Sequence, residues 1–381
     1  MKKVVILGCT GSIGTQALEI VSSSGELSVV GLAADSSWEA TLEQAREHGV
    51  PTVAFSDPDA AAQAKRAWSG TVLAGEEGIR ELTATSGADL VLNGIVGAAG
   101  LGPTIVALTE GIDVALANKE SLVIGGELVT TLAEGTGARL LPVDSEHSAL
   151  FQLINAEPPG SVVRLVITAS GGPFRGRTDL GDVTPTEALA HPTWEMGGRI
   201  TIDCATLMNK GFEMIEAHHF FGVPYSEIDV VVHRQSIVHS LVQLNDGASL
   251  AHLGRPDMRV PISYALHYPQ RADTEVELLD LAEAGQLSFE PPDTDAFPCL
   301  RLAREAGEAG GSSPCVLNAA DEVAVAAFLE GRLGFTAIAE VVERTLTEMP
   351  GEPVTHFEDL FAVDGLARER AAGLIEELAP A

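Results

Sequence analysis

Short apolar runs alternate with amphipathic stretches over the first 140 or so residues. The run Val4–Leu7 leads into a glycine-rich turn, and Ala17, Leu18, Ile20 and Val21 then follow at helical spacing. A helical pattern also covers residues 38–48. Strand, turn and helix in alternation predict a doubly wound parallel sheet of Rossmann type. Its further strands are expected at residues 28–33, 52–55, 90–92, 114–117 and 139–143.

The pattern changes from about residue 150. Strand-like runs at 162–169, 229–233, 240–244 and 249–252 mix with helices, which indicates an α+β domain. Helical periodicity then covers 299–308, 315–329, 336–348 and 357–378. The predicted class is therefore α/β, with residues 1–148 as a dinucleotide-binding domain and 149–270 as a catalytic, metal- and substrate-binding domain. A linker at 271–298 and a C-terminal helical domain at 299–381 complete the division.

Composition restricts the possible partners. Fifty-four acidic residues against 23 Lys and Arg give a formal net charge of −31. Such a surface argues against nucleic acid and against anionic membranes as partners. The four cysteines form no CxxC pair, and we interpret them as reduced thiols in a cytoplasmic protein. No window approaches a membrane span, and the apolar run behind Met1 is too short for a secretory signal.

The turn between the first strand and helix is a candidate pyrophosphate site. Its glycines fall at 8, 11 and 14, a GxxGxxG spacing in place of GxGxxG. Backbone amides and the helix N-terminus would face the phosphates. A strand-to-helix turn without a nucleotide is the alternative. Asp35, Ser36 and Ser37 follow the second strand, where serines suit a 2′-phosphate and an acid repels one, so the preference between NADPH and NADH stays open.

Three carboxylates point to a hard divalent cation. Asp144 and Glu146 follow an apolar strand, and on extended chain their side chains would share one face. Glu213 comes three residues after Lys210 in Asn209-Lys210-Gly211-Phe212-Glu213. Carboxylate oxygens with open positions left for substrate suit Mg²⁺ or Mn²⁺. The alternatives are a solvated turn for the first two acids and a helical ion pair between Lys210 and Glu213.

Further polar groups suit a phosphorylated substrate. Ser170, Gly171 and Gly172 follow a strand and offer a hydroxyl and free amides to an anion. Lys210 and Lys119 are two of only five lysines in the chain. Lys119 lies in Asn118-Lys119-Glu120-Ser121, after a strand, where a helix cap with a solvated lysine is the alternative. The loop at about 188–198, with Trp194, is expected to close over substrate; an ordinary surface loop is the other interpretation.

Taken in order, these segments resemble the 1-deoxy-D-xylulose 5-phosphate reductoisomerase family. The resemblance extends over nearly the whole chain. It also includes Gln235–Ser240, Pro256-Asp257-Met258, Leu317–Ala320 and Glu322–Val325. The segments that carry it are Gly8–Gly14, Ala117–Leu122, Val143–Ala149, Ala169–Phe174, His191–Trp194 and Asn209–Glu213.

The resemblance implies an NADPH-dependent, metal-dependent oxidoreductase and isomerase of non-mevalonate isoprenoid biosynthesis, usually a homodimer. It would rearrange 1-deoxy-D-xylulose 5-phosphate and reduce the product to 2-C-methyl-D-erythritol 4-phosphate. It places Mg²⁺ or Mn²⁺ on Asp144, Glu146 and Glu213, which with Lys119 form the catalytic set. It assigns substrate to Ser145, Glu146, Ser170, His191, Trp194, Cys204, Asn209 and Lys210. It assigns NADPH to Thr10, Gly11, Ser12, Ile13, Ser36, Ser37, Asn118, Lys119, Glu120 and Gly197.

Several positions depart from the family pattern. Cys204 stands where the family has a phosphate-contacting serine, and Asp35 replaces a small residue near the 2′-phosphate. Glu195, Arg234 and Asp321 are also unusual. Two alternatives follow: an NAD(P)-dependent paralogue acting on another small phosphate or phosphonate, and a non-catalytic protein that binds inhibitor or cofactor. A homoserine-type dehydrogenase is a third, against which the three carboxylates count.

Overall fold

The fold comes from a computed structural model, which describes residues 1–177, 179–190 and 197–378. The chain divides into two compact units. Unit 1 comprises Met1–Ser121, Val129–Ser148 and Asp257–Val276. Unit 2 comprises Leu122–Leu128, Ala149–Pro256 and the chain from Glu277 onward. The division into four segments made from the sequence stays a prediction.

The first part of the chain alternates strands and helices, as predicted. The strands are β1 Lys2–Leu7, β2 Leu27–Ala34, β3 Thr52–Phe55, β4 Thr71–Ala74, β5 Leu90–Asn93, β6 Asp113–Leu116 and β7 Leu140–Pro142. The helices are α1 Ser12–Ser23, α2 Trp38–Glu47, α3 Pro58–Ala67, α4 Gly75–Thr85, α5 Leu101–Thr109, α6 Glu120–Thr136 and α7 Ser145–Ala156.

The remainder is mixed and then helical. Its strands are β8 Val162–Ala169, β9 Ile228–Val232, β10 Val238–Leu244 and β11 Ser249–Leu253. Its helices are α8 Pro185–Ala188, α9 Gly198–Ala205, α10 Met208–Phe221, α11 Arg259–His267, α12 Leu281–Ala284, α13 Cys299–Ala309, α14 Ser313–Leu329, α15 Phe335–Glu348 and α16 Phe357–Leu378.

Unit 1 is built on a seven-stranded sheet in the order β4-β3-β2-β1-β5-β6-β7, with every pairing parallel. The inner strands are continuous apolar runs because helices cover both faces of such sheets. Val4, Val5, Ile6 and Leu7 are fully buried in β1. The carboxyl ends of β1, β2, β5, β6 and β7 therefore share one edge, where ligands bind in this architecture. The predicted parallel sheet is confirmed.

One strand of this sheet was not predicted from the sequence. β4, Thr71–Ala74, is the edge strand beyond β3, and its residues are exposed or half-buried. An edge strand packs on fewer neighbours, so its residues are less buried than those of a central strand of the same length, such as β5.

Unit 2 combines a four-stranded sheet with the C-terminal helices. The sheet order is β11-β10-β8-β9, with β8 and β9 parallel and the other pairs antiparallel. Its core joins sheet residues such as Leu165 and Ile167 to helical residues such as Phe212, Leu317 and Phe328. Helix α10 lies inside this core: all ten residues from Met208 to Ala217 are buried. Charged residues on α10 must therefore be paired.

None of the helices described here combines the length and apolar character that crossing a membrane requires.

Candidate active site

The glycine turn after β1 has the geometry of a phosphate-binding turn. Gly8 has φ +78°, and a Cβ there would lie 2.6 Å from the Gly94 carbonyl oxygen. A Cβ on Gly14 would lie 2.3 Å from the Gly8 oxygen, so only glycine lets α1 begin this close to the strand. Gly11 is the N-cap of α1, and no side chain caps the helix. The amides of Ser12 and Ile13 thus belong to an uncapped helix N-terminus suited to an anion.

A second turn at this edge was not singled out from the sequence. Asn93-Gly94-Ile95-Val96-Gly97 follows β5, and the Gly94 amide donates to the Leu7 carbonyl over 2.9 Å. Val96 in this turn is 69% exposed, an unusual position for valine. The available signal was an Asn-Gly pair directly after an apolar run, which marks a turn at the sheet edge.

The segment after β6 forms a buried polar network. The Asn118 side-chain amide donates to the carbonyls of Ile95 and Gly97 over 2.8 and 2.9 Å, and to Glu120 Oε2 over 2.9 Å. Glu120 in turn accepts from the Gly97 amide over 3.1 Å. Asn118 and Glu120 therefore hold the turn after β5 in place, at the edge expected to carry the cofactor.

Lys119 is buried and forms an ion pair. Its ammonium lies 3.0 Å from Asp144 Oδ2, with 7% and 15% of the two side chains exposed. The alternative of a solvated lysine is therefore wrong. Burying an ammonium and a carboxylate is costly unless they are paired, so each fixes the position of the other.

Glu146 lies in the first turn of α7, so the assumption that Asp144 and Glu146 share an extended strand was wrong. The chain turns at Asp144 because its Oδ1 accepts the Glu146 amide over 3.2 Å and thereby starts the helix. The Ser145 hydroxyl donates to Glu146 Oε2 over 2.5 Å. The two carboxylates are thus placed by a helix start.

Glu213 lies on α10 with both of its predicted neighbours. Lys210 Nζ contacts its two oxygens over 2.8 and 2.6 Å, and Asn209 Nδ2 donates to Oε1 over 2.6 Å. All three side chains are buried. The ion pair that the spacing allowed is present. Glu213 is therefore a buried carboxylate with a fixed orientation, which is what a metal ligand requires.

Ser170 and Cys204 lie on adjoining segments of unit 2. Ser170 follows β8, and its hydroxyl accepts the Gly172 amide over 3.3 Å. Gly172 has φ +66°, and a Cβ there would lie 2.8 Å from the Cys204 carbonyl oxygen. The loop after β8 that contains Ser170 and Gly172 therefore packs against the end of α9. Cys204, near that end, is half-buried and precedes α10 by a few residues.

Two histidines, His219 on α10 and His239 on β10, have lowered pKa values. Burial, helped by the neighbouring His252 and Lys210, lowers the pKa of His239 to about 4. Burial likewise lowers the pKa of His219 to about 4. Neither imidazole competes with Lys210 as the cation for an anionic ligand.

The remaining predicted residues are placed as follows. Ser36 and Ser37 are exposed after β2, and Ser37 is the N-cap of α2. Thr10 is half-buried in the glycine turn, and Gly197 is the N-cap of α9. His191 and Trp194 lie outside the described residues, as does Glu195.

Three family models match the chain in succession. The model described as 1-deoxy-D-xylulose 5-phosphate reductoisomerase matches residues 4–126. The model of the C-terminal domain of that enzyme matches 140–221, and the DXP reductoisomerase C-terminal domain matches 253–370. Together they account for most of the chain.

Named relatives are similar over their full length. The 1-deoxy-D-xylulose 5-phosphate reductoisomerase of Crocosphaera subtropica is 48% identical over 97% of this chain and 95% of its own. That of Thermodesulfovibrio yellowstonii is 48% identical over 99% and 100%. Nearly half of all positions are thus shared from end to end.

Solved structures of 1-deoxy-D-xylulose 5-phosphate reductoisomerases have the same fold as this chain. The Zymomonas mobilis reductoisomerase in complex with NADPH matches with a TM-score of 0.91 and 41% identity, covering 99% of this chain and 100% of its own. A DOX-P reductoisomerase with NADPH, fosmidomycin and magnesium gives 0.93 and 38%, covering 99% and 98%. The chain therefore belongs to the 1-deoxy-D-xylulose 5-phosphate reductoisomerase family.

Proposed function

We propose that this chain converts 1-deoxy-D-xylulose 5-phosphate to 2-C-methyl-D-erythritol 4-phosphate with NADPH and a divalent cation, in non-mevalonate isoprenoid biosynthesis. The observation that carries the proposal is the buried Asn209, Lys210 and Glu213 cluster on α10. A protein buries such charges only with partners and usually for a purpose. Family membership favours this activity over a divergent paralogue and excludes a homoserine-type dehydrogenase.

The cofactor residues follow from the edge of the parallel sheet. Similar proteins were solved with NADPH. The uncapped N-terminus of α1 fits a pyrophosphate, and the Asn118–Glu120 network shapes the neighbouring turn. When bound, NADPH supplies the hydride for the reduction. The residues that would hold it are Thr10, Gly11, Ser12, Ile13, Ser36, Ser37, Asn118, Lys119, Glu120 and Gly197.

Asp144, Glu146 and Glu213 would hold Mg²⁺ or Mn²⁺. Each offers a carboxylate oxygen, the donor that these hard cations prefer. Asp144 is paired with the ammonium of Lys119, and Glu213 is paired with that of Lys210. Both carboxylates therefore lie in positions where they bind a positive charge. When bound, the cation polarises the substrate carbonyl and stabilises the neighbouring alkoxide during rearrangement.

The chain's own residues bind and orient the phosphate. The donors are the Ser170 hydroxyl in the loop after β8 and the Asn209 amide and Lys210 ammonium on α10. Phosphate held away from the reacting carbons supplies orientation. The Lys210 ammonium pairs with Glu213 and carries three N–H donors, so it can also donate to a phosphate. Ser145, Cys204, His191 and Trp194 would complete the substrate site, with the Trp194 loop excluding water.

The test identifies the product. Purified chain with 1-deoxy-D-xylulose 5-phosphate, NADPH and Mg²⁺ should yield 2-C-methyl-D-erythritol 4-phosphate by mass spectrometry. Lys210→Ala should abolish this yield, while the similarly charged but surface-exposed Lys65→Ala should leave it unchanged. If the folded wild-type chain binds NADPH and forms no product, it is a cofactor-binding protein and the proposal is wrong.

We also propose a homodimer, joined along β11, in the cytoplasm. Strand β11 is the edge of its sheet, and its outer residue Leu253 is 37% exposed. The edge of a sheet can pair with a strand of a second copy. Light scattering should give twice the chain mass of 39.8 kDa. Leu253→Lys should shift the mass toward the monomer, whereas Val163→Lys on the internal strand β8 should not. A wild-type monomer would refute the dimer.

A further inference from the structure

The segment after β2 lies directly beside the glycine turn. The amides of Gly8 and Cys9 both donate to the Ala33 carbonyl, over 2.8 and 2.9 Å. Gln44 on α2 donates to the Cys9 carbonyl over 3.1 Å. Asp35, two residues beyond Ala33, therefore lies where this fold receives the adenosine ribose of a dinucleotide.

The Asp35 carboxylate is exposed but held. The Ser56 hydroxyl donates to Asp35 Oδ1 over 2.5 Å, and the Asp57 amide donates to the Asp35 carbonyl over 3.3 Å. These contacts tie the end of β2 to the end of β3. A side chain fixed through one oxygen keeps the other available as an acceptor, which suits a ribose hydroxyl.

The charge around this position is negative. The three segments that meet here, residues 7–16, 33–41 and 55–59, contain no Lys or Arg. They contain four acids, Asp35, Glu39, Asp57 and Asp59. The 2′-phosphate of NADPH carries between about one and two negative charges at neutral pH. Positively charged side chains would be needed to bind it firmly.

We infer that Asp35 is a specificity-determining residue that disfavours the 2′-phosphate and gives this chain a usable affinity for NADH. Ser56 is its positioning residue. The inference rests on the proposed dinucleotide site, and it adds to that proposal how strongly the chain discriminates between NADPH and NADH. The serines at 36 and 37 then provide the remaining hydrogen bonds to a phosphate, without a cation to balance it.

The test measures binding of both cofactors, apart from turnover. Dissociation constants for NADPH and NADH would be measured by fluorescence titration for wild type and for Asp35→Ser. The variant should bind NADPH about tenfold tighter, with NADH unchanged or weaker, because one close like charge is removed. Glu110→Gln, which removes an exposed acid at the C-terminal end of α5 and outside these three segments, is the matched control and should change both constants equally and little.

Ser56→Ala provides a second variant. Without its donor, Asp35 samples other rotamers, so the ratio of the two constants should move in the same direction as in Asp35→Ser, by less. A wild-type chain that binds NADPH more than a hundredfold tighter than NADH, with a ratio unchanged in Asp35→Ser, would overturn the inference and leave the proposed function intact. Failure to bind either cofactor would overturn both.

Discussion

At the residue scale, the informative side chains are the two buried lysines. Lys119 and Lys210 each bond a carboxylate and are each less than a tenth exposed. Burying an unpaired charge costs about several kcal/mol of folding free energy. Each lysine therefore fixes the position of its carboxylate partner, and the carboxylate fixes the position of the lysine. Lysine is rare in this sequence, so the position of two of the five lysines in polar motifs already indicated a function. The sequence could not show that Asp144 starts a helix, because that depends on one hydrogen bond from the Glu146 amide to the Asp144 carboxylate.

Cys204 is the second residue whose chemistry is open to direct test. A thiol is a weaker hydrogen-bond donor than the hydroxyl that the family pattern has here. Cys204→Ser should restore about 1 kcal/mol of phosphate binding, which is about fivefold in kcat/KM. Steady-state kinetics with 1-deoxy-D-xylulose 5-phosphate would measure it.

The control for this variant is the substrate without its phosphate. Cys204→Ser should leave the rate with 1-deoxy-D-xylulose unchanged, since the gain is made at the phosphate. An equal gain with both substrates would show that the serine acts on the fold or the chemistry, and would remove Cys204 from the phosphate site.

At the element scale, helices α9 and α14 bring two acids together in the core of unit 2. Asp321 on α14 is fully buried, and its nearest cation is the Arg199 guanidinium at 3.7 Å. Burial, together with the adjoining Asp203, raises the pKa of Asp321 well above its usual value. The protonated acid can donate a hydrogen bond to Asp203.

This pair makes stability depend on pH. The folded chain holds the Asp321 proton after the unfolded chain, with a pKa of about 4, has released it. The free energy of unfolding should therefore fall as pH rises from about 4 to the raised pKa of the folded state. Asp321→Asn should remove that dependence and raise the unfolding temperature by about 2–4 °C near pH 8.

Scanning calorimetry at about pH 5 and about pH 8 would measure this effect. Asp295→Asn, which removes an exposed acid, is the control for net charge and should shift the unfolding temperature little at both values. A wild-type chain as stable at the higher pH as at the lower, with Asp321→Asn no better, would contradict the shared proton.

The elements themselves were largely predictable. The parallel strands of unit 1 are continuous apolar runs followed by turn residues, and β3 and β8 have the predicted bounds. The helices of unit 2 follow their periodicity, and α16 runs over Phe357–Leu378 as expected. The edge strand β4 is as long as β3, but it was missed because none of its four residues is buried. Periodicity reports burial, so an edge leaves little signal.

At the scale of the whole molecule, the order of motifs carried more than any single motif. Each of the glycine turn, the Asp144 segment and the α10 cluster has an ordinary structural explanation alone. Their sequence order matches a family from end to end, and relatives 48% identical over almost the full length confirm it. The proposed site does not account for the net charge of −31, and nothing in the structure explains the size of this charge.

The central claim is that the three carboxylates hold the cation on which turnover depends. The most direct test follows NADPH absorbance with 1-deoxy-D-xylulose 5-phosphate while Mn²⁺ is added to metal-free chain. Glu146→Gln is the informative variant, because it leaves both lysine ion pairs in place; Glu134→Gln, an exposed acid, is its control. We predict no turnover without metal, saturable activation, and a requirement for at least tenfold more Mn²⁺ in Glu146→Gln alone. Turnover without metal, or an unchanged Mn²⁺ requirement in Glu146→Gln, would contradict the account.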